Sequence, residues 1–196
     1  MDRTGTIERL TGETDIKVKI CLEGQGLLTG TAGMGFFDHM LELFARHSGC
    51  NMEISAVGDL HVDFHHLIED LGICIGKALK EALGDKKGIK RYGTSYVPMD
   101  DALVRVVVDF SGRPYLAYRV CGLKERVGDF DTELVEEFLR ALSVNGGITM
   151  HVDKLAGHNT HHIIEGIFKA LARSMSAAWE INEGQASVLS TKGILE

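Results

Sequence analysis

The chain is poor in the residues that staple or stiffen small folds. It has two prolines, one tryptophan and four cysteines in 196 residues. The cysteines (Cys21, Cys50, Cys74 and Cys121) are scattered, with no CxxC pair. Dispersed thiols without a signal peptide argue against a disulfide framework and read as reduced thiols of a cytoplasmic protein. No apolar run approaches the ~18 residues of a membrane span. The first ten residues, MDRTGTIERL, hold no apolar signal core. Basic charge is also in deficit, with 21 Lys and Arg against 28 Asp and Glu. That balance argues against a nucleic-acid partner, which usually meets an excess of basic side chains. What is present is ample: 44% hydrophobic and 25% charged residues can build the core of one ordinary domain.

Hydrophobic spacing sets out the elements. In TDIKVKICLEG, Ile16, Val18, Ile20 and Leu22 alternate and predict a strand. GLLTGTAGMG reads as a glycine-rich loop, and its GTAGMG part (30–35) as a mobile stretch that matches no nucleotide fingerprint. A helix is predicted over 36–49, a strand over 51–59 and a second helix over 63–83, with Gly84 as its stop. The order then repeats. DDALVRVVVDFSG (100–112) matches the first alternating strand, FDTELVEEFLRALSVNGG (130–147) the first helix, ITMHVDKL (148–155) the second strand and 158–180 the second helix. Such self-similarity predicts an α+β chain of two tandem halves, about 1–90 and 91–196, forming one compact unit.

Four of the nine histidines lie in two copies of one motif, HHLIED (65–70) and HHIIEG (161–166). Residues four apart on a helix are nearly in line. His65 therefore shares a face with Glu69, and His161 with Glu165, while His66 and His162 lie one residue round. A lone helical histidine is usually an ordinary polar residue; a repeated HHxxE inside a chain-wide repeat points to divalent-metal ligation. The ligands are nitrogen and oxygen with no thiolate, which suits an open transition-metal site and not a structural zinc. HExxH is absent, so a metalloprotease has no support. Two doublets exceed the needs of one ion, and His39 and His151 are further candidates. The basic run DKKGIKRYG (85–93) is suited to a small anion.

FFDHML, HHLIED, KRYG, SGRPYL, LAGHNTHHIIEGIFKALARS and STKG, in this order, closely resemble the imidazoleglycerol-phosphate dehydratase family of histidine biosynthesis, over nearly the whole chain. The resemblance implies two similar halves, each a four-stranded sheet covered on one face by two helices, with the helices packed between the sheets. It implies a homo-oligomer, a 24-mer built from trimers, with two Mn²⁺ per active site, and a small phosphorylated imidazole as substrate. Carried over, the metal ligands are His39, His65, His66, Glu69, His151, His161, His162 and Glu165. Glu13, with Glu69 and Glu165, falls in the catalytic set. Glu13 and His39 also fall among the substrate contacts, with Arg91, Arg113, Lys169, Ser190 and Lys192 on the phosphate. The chain departs from the family pattern at Phe64, Leu67 and His158. The implied reaction dehydrates imidazole glycerol phosphate to imidazole acetol phosphate through a dimanganese-bound imidazolate. The residues alone leave two other readings open, a non-catalytic metal-binding shell and a dinuclear metal phosphatase.

Overall fold

A computed structural model describes residues 2–184 and 187–195. Each half runs strand, strand, strand, helix, strand, helix. In the first half these are β1 (Thr4–Leu10), β2 (Thr14–Cys21), β3 (Leu28–Thr31), α1 (Gly35–Ser48), β4 (Asn51–Gly58) and α2 (His65–Leu83). The second half has β5 (Tyr92–Met99), β6 (Ala102–Asp109) and β7 (Tyr115–Arg119). A small hairpin follows, β8 (Arg126–Val127) and β9 (Phe130–Asp131), then α3 (Leu134–Gly146), β10 (Thr149–Ala156) and α4 (Thr160–Trp179). The two four-stranded sheets have the same order, β1-β2-β4-β3 and β5-β6-β10-β7. In each, the last pairing is parallel and the others are antiparallel.

Strict alternation makes each sheet two-faced. Ile16, Val18 and Ile20 on β2, and Val104, Val106 and Val108 on β6, are fully or almost fully buried. Their neighbours along the strands face out. The buried faces receive the helices. α2 lies on β1 and β2, α4 lies on β5 and β6, and the halves meet through α1 against α4 and α2 against α3. The layers are therefore sheet, helices, sheet, and one hydrophobic cluster runs through both halves.

Close approach of helix to strand depends on glycine at matching places. A Cβ on Gly5 of β1 would stand 2.0 Å from the Ala78 carbonyl oxygen of α2; one on Gly93 of β5 would stand 1.8 Å from that of Ser174 on α4. The α2–α3 contact is similarly tight, with Gly72 and Gly76 facing the α3 backbone.

Two sequence expectations are corrected. The stretch read as a glycine-rich loop contains β3, an edge strand parallel to β4. Gly30 is in the left-handed region (φ 89°) and lies so near Ile54 that a Cβ would sit 1.7 Å from its carbonyl oxygen. Residues 130–133 do not open the third helix. Phe130 and Asp131 pair with Val127 and Arg126, and the Thr132 hydroxyl donates to the Lys124 carbonyl.

Gly93→Ala tests the strand–helix contact. Overpacking a site with no room typically costs about 1–3 kcal/mol. We expect a lower denaturant midpoint with an unchanged slope; an unaltered midpoint would show that the backbone yields freely.

Candidate metal centre and anion pocket

Both histidine doublets occupy the first turn of a helix, where free N–H groups need acceptors. Asn159 caps α4, its side-chain oxygen accepting from His161 N and His162 N at 3.0 and 3.4 Å. Asp63 accepts from His65 N at 2.8 Å. These local bonds fix where each doublet begins. Leu67, where the chain departs from the family pattern with a hydrophobic residue, is buried against Gly58.

The α4 motif closes on a third ligand from the other half. Nε2 of His39, on α1, and Nε2 of His161 each lie 3.1 Å from Glu165 Oε1. One donor atom from each of the three residues falls within 4.8 Å of the others. Glu165 is 6% exposed. Burial opposes its ionisation, but the Lys169 ammonium, bonded to Oε2, and the two imidazoles overcome this and bring its carboxyl down to about 2. Glu165 is thus a ready anionic ligand at neutral pH.

The α2 motif is arranged otherwise. His66 Nδ1 meets Asp59 Oδ2 at 3.0 Å, and its Nε2 lies 3.8 Å from Glu13 Oε1. That hydrogen bond holds the Asp59 carboxyl below its ordinary value and raises the imidazole of His66. Among the described residues, the side chains of His65 and Glu69 make no hydrogen bond or ion pair. In the second half, His162 Nδ1 meets Asp101 Oδ1 at 2.7 Å and its Nε2 lies 3.5 Å from Asp100. Asp59, Asp100 and Asp101 went unnoticed in the sequence, where each is one acid among many at the end of a predicted strand.

His151 is not brought to either motif. Met150 and Val152 point to the helices, so His151 faces out from the second sheet, with Arg119 Nη2 3.3 Å from its Nδ1.

A separate cationic pocket, of about 630 Å³, is lined by Arg91, Arg113 and the segment Val188–Lys192, which includes Ser190. Arg91 is nearly buried and has φ 72°, an uncommon conformation for a non-glycine residue. Its guanidinium grips Asp109 through two bonds of 2.7 and 3.0 Å and donates to the Leu189 carbonyl at 2.7 Å. Arg113 is open to solvent beside Asp109. Lys169 is not in this pocket; it lies against Glu165. The pocket adjoins the other end of α4, where Arg91 N donates to the Ala178 carbonyl. At 1.5 Å per helical residue, Glu165 and Ala178 are roughly 20 Å apart.

The chain is similar to known proteins along nearly its whole length. Residues 32–175 match the family described as IGPD, imidazoleglycerol-phosphate dehydratase. The imidazoleglycerol-phosphate dehydratase of Moorella thermoacetica is 53% identical over 195 residues, covering 100% of both chains. That of Acetivibrio thermocellus is 52% identical over the same extent. Among solved structures, the enzyme of that name from Staphylococcus aureus superposes with a TM-score of 0.83 at 46% identity, covering 91% of this chain and 99% of its own. The protein from Pyrococcus furiosus gives 0.81 at 40% identity, covering 96% and 100%.

Proposed function

Because the chain belongs to the imidazoleglycerol-phosphate dehydratase family, we propose that it is a lyase of histidine biosynthesis that dehydrates imidazole glycerol phosphate, using two Mn²⁺ per site. The observation that carries this reading is the thiol-free His39–His161–Glu165 cluster, built across the two halves. Its all-nitrogen-and-oxygen donor set and ionised carboxylate fit Mn²⁺. His39, His161, His162 and Glu165, and separately His65, His66 and Glu69, would hold the ions. His151, on an outer sheet face, would reach a site only in a neighbouring copy. When bound, the ions supply Lewis acidity that favours loss of a ring proton from the imidazole.

The rest of the chemistry falls to side chains. The hydroxyl beside the ring must depart and the next carbon must lose a proton, with no carbonyl to acidify it. Ring electrons expel the hydroxyl, which takes a proton and leaves as water; a base removes the carbon proton, and the resulting enol becomes the ketone. Glu13, near the outward nitrogen of His66, would carry the proton transfer, a role typically worth roughly 10²–10⁴ in rate. Arg91, Arg113, Ser190 and Lys192 would receive the phosphate, the arginines through their planar forks. Lys169, beside Glu165, is the cation nearest the cluster. The roughly 20 Å along α4 exceeds the reach of a three-carbon phosphate ester. The metal cluster of one copy would therefore work with the anion pocket of another, in a cytoplasmic homo-oligomer, a 24-mer of trimers.

Metal-loaded protein incubated with imidazole glycerol phosphate should yield the ketone; release of inorganic phosphate would turn the reading to a dinuclear phosphatase. His161→Ala should lower both metal content and turnover, and full retention of both would remove it from the ligands. Glu13→Gln should keep the metal and lose turnover; unchanged turnover would end its acid–base role. Arg113→Ala should raise KM about tenfold, as one charge-assisted bond is worth about 1.5 kcal/mol or more, with metal content unaltered; an unchanged KM would return it to the solvated surface. Chelation should shift the particle toward trimers in ultracentrifugation, and Mn²⁺ should restore it, because ions that bind only the assembled state stabilise it by mass action. A metal-free sample that stays assembled would show that the sites are not what joins the copies.

A further inference from the structure

The second histidine of each doublet has a carboxylate behind it, but the two carboxylates come from unrelated places in the repeat. Asp59 immediately follows β4 and meets Nδ1 of His66 at 3.0 Å. Asp101 immediately precedes β6 and meets Nδ1 of His162 at 2.7 Å. A carboxylate only accepts, so in each pair Nδ1 carries the hydrogen, and in the neutral ring Nε2 keeps its lone pair. We propose that Asp59 and Asp101 are the positioning residues of the two motifs, each fixing the tautomer and ring plane of its histidine so that Nε2 is the ligand atom. This rests on the metal-dependent reading above and extends it to residues outside the ligand set.

The structure also shows why the halves use different acids. The residue that follows β10, in the place of Asp59, is Gly157. It has φ 113°, and a Cβ there would fall 2.7 Å from the Ala102 Cα and 2.9 Å from its Cβ. No carboxylate fits at that position, so the second half takes its acid from the β5–β6 turn. There Asp100, at φ 47°, and Asp101 bend tightly against His162. Asp101 is further anchored by its Oδ2, which accepts His158 N and Asn159 N at 2.6 and 3.1 Å. In the first half the residue immediately before β2, in the place of Asp101, is Glu13. With Asp59 already behind His66, Glu13 is not needed there and stands instead toward Nε2. The unequal ends of β4 and β10 thus leave one turn acid available for chemistry and commit the other to holding a ligand.

The test compares Asp59→Ala, Asp59→Asn, Asp101→Ala and Asp101→Asn with the parent. Loss of such a partner typically weakens metal binding 10–100-fold. We expect that loss in both alanine variants, read as Mn²⁺ affinity by chelator competition. The asparagine variants, which keep an acceptor oxygen for Nδ1–H, should recover most of it. In metal-free protein, nitrogen-15 spectra of the histidines should show one Nδ1–H signature lost in Asp59→Ala and kept in Asp59→Asn. Asp101→Ala also removes the acceptor at the start of α4; if it does not fold, the Asp59 pair decides. Parent-like Mn²⁺ affinity in Asp59→Ala, or asparagine no better than alanine, overturns the proposal. A parent that binds no Mn²⁺ overturns the functional reading instead, and the metal-free spectra still judge the tautomer.

Discussion

The burial of one carboxylate governs the arrangement of the site. Glu165 is almost withdrawn from solvent, and an ionised acid there is tolerable only with partners at hand. Two of them, His161 and Lys169, lie one turn to either side on the same helix. The third, His39, comes from the other half, so the cluster exists only while α1 packs on α4. That contact is secured along its length. Phe37 packs edge-on against Phe168 near the start, and Ser176 donates to the Ser48 carbonyl near the end. The hydrophobic core between the halves is thereby also the frame of the ligand set.

The two halves do not repeat this arrangement. Where α1 begins close behind β3 and presents His39 in its second turn, the route from β7 to α3 is occupied by the β8–β9 hairpin, and α3 opens with Glu136 and Glu137. Neither is an imidazole, and the α2 motif gains no third ligand among the described residues. His65 and Glu69 face outward with spare donor capacity. In the proposed homo-oligomer, the outer face of the second sheet, where His151 sits, would be the place for another copy to supply what is missing.

The fold was legible wherever its cause was local. Alternation on β2 and β6 and helical spacing around His65 and His161 follow from burial of one face, and that pattern is written in consecutive residues. β3 was hidden because four residues with a glycine carry almost no periodic signal, and its strand character comes from pairing with β4. β7 and the β8–β9 hairpin were missed for the same reason; their exposed tyrosine and arginines look like a turn region. Within the site, the HHxxE spacing revealed His65, His66, Glu69, His161, His162 and Glu165 as candidates. That His39 stands beside Glu165, 126 residues away, is a tertiary fact with no local trace. Asp59 and Asp101 were invisible for a related reason. Their significance lies in which ring nitrogen they meet, and spacing does not encode that.

α4 fixes the relation between the two chemical parts. Its first turns hold His161, His162 and Glu165, and its last turn receives the Arg91 backbone. A helix packed on a sheet along its whole length is stiff, so no side-chain rotation within one copy brings the guanidinium of Arg91 near the cluster. Arg91 is itself immobilised. Its left-handed backbone, a strain of about 1–3 kcal/mol for a non-glycine residue, is held by the two-bond grip on Asp109 and the bond to Leu189. Both parts are built rigidly, at opposite ends of a fixed spacer. On the reading proposed above, a substrate that touches an imidazole-binding centre and a phosphate pocket at once would depend on how copies are juxtaposed, not on closure within a copy. In the proposed homo-oligomer, specificity for the distance between ring and phosphate would reside in the contact between subunits, and a change at that contact would alter the fit to the substrate without disturbing a single ligand.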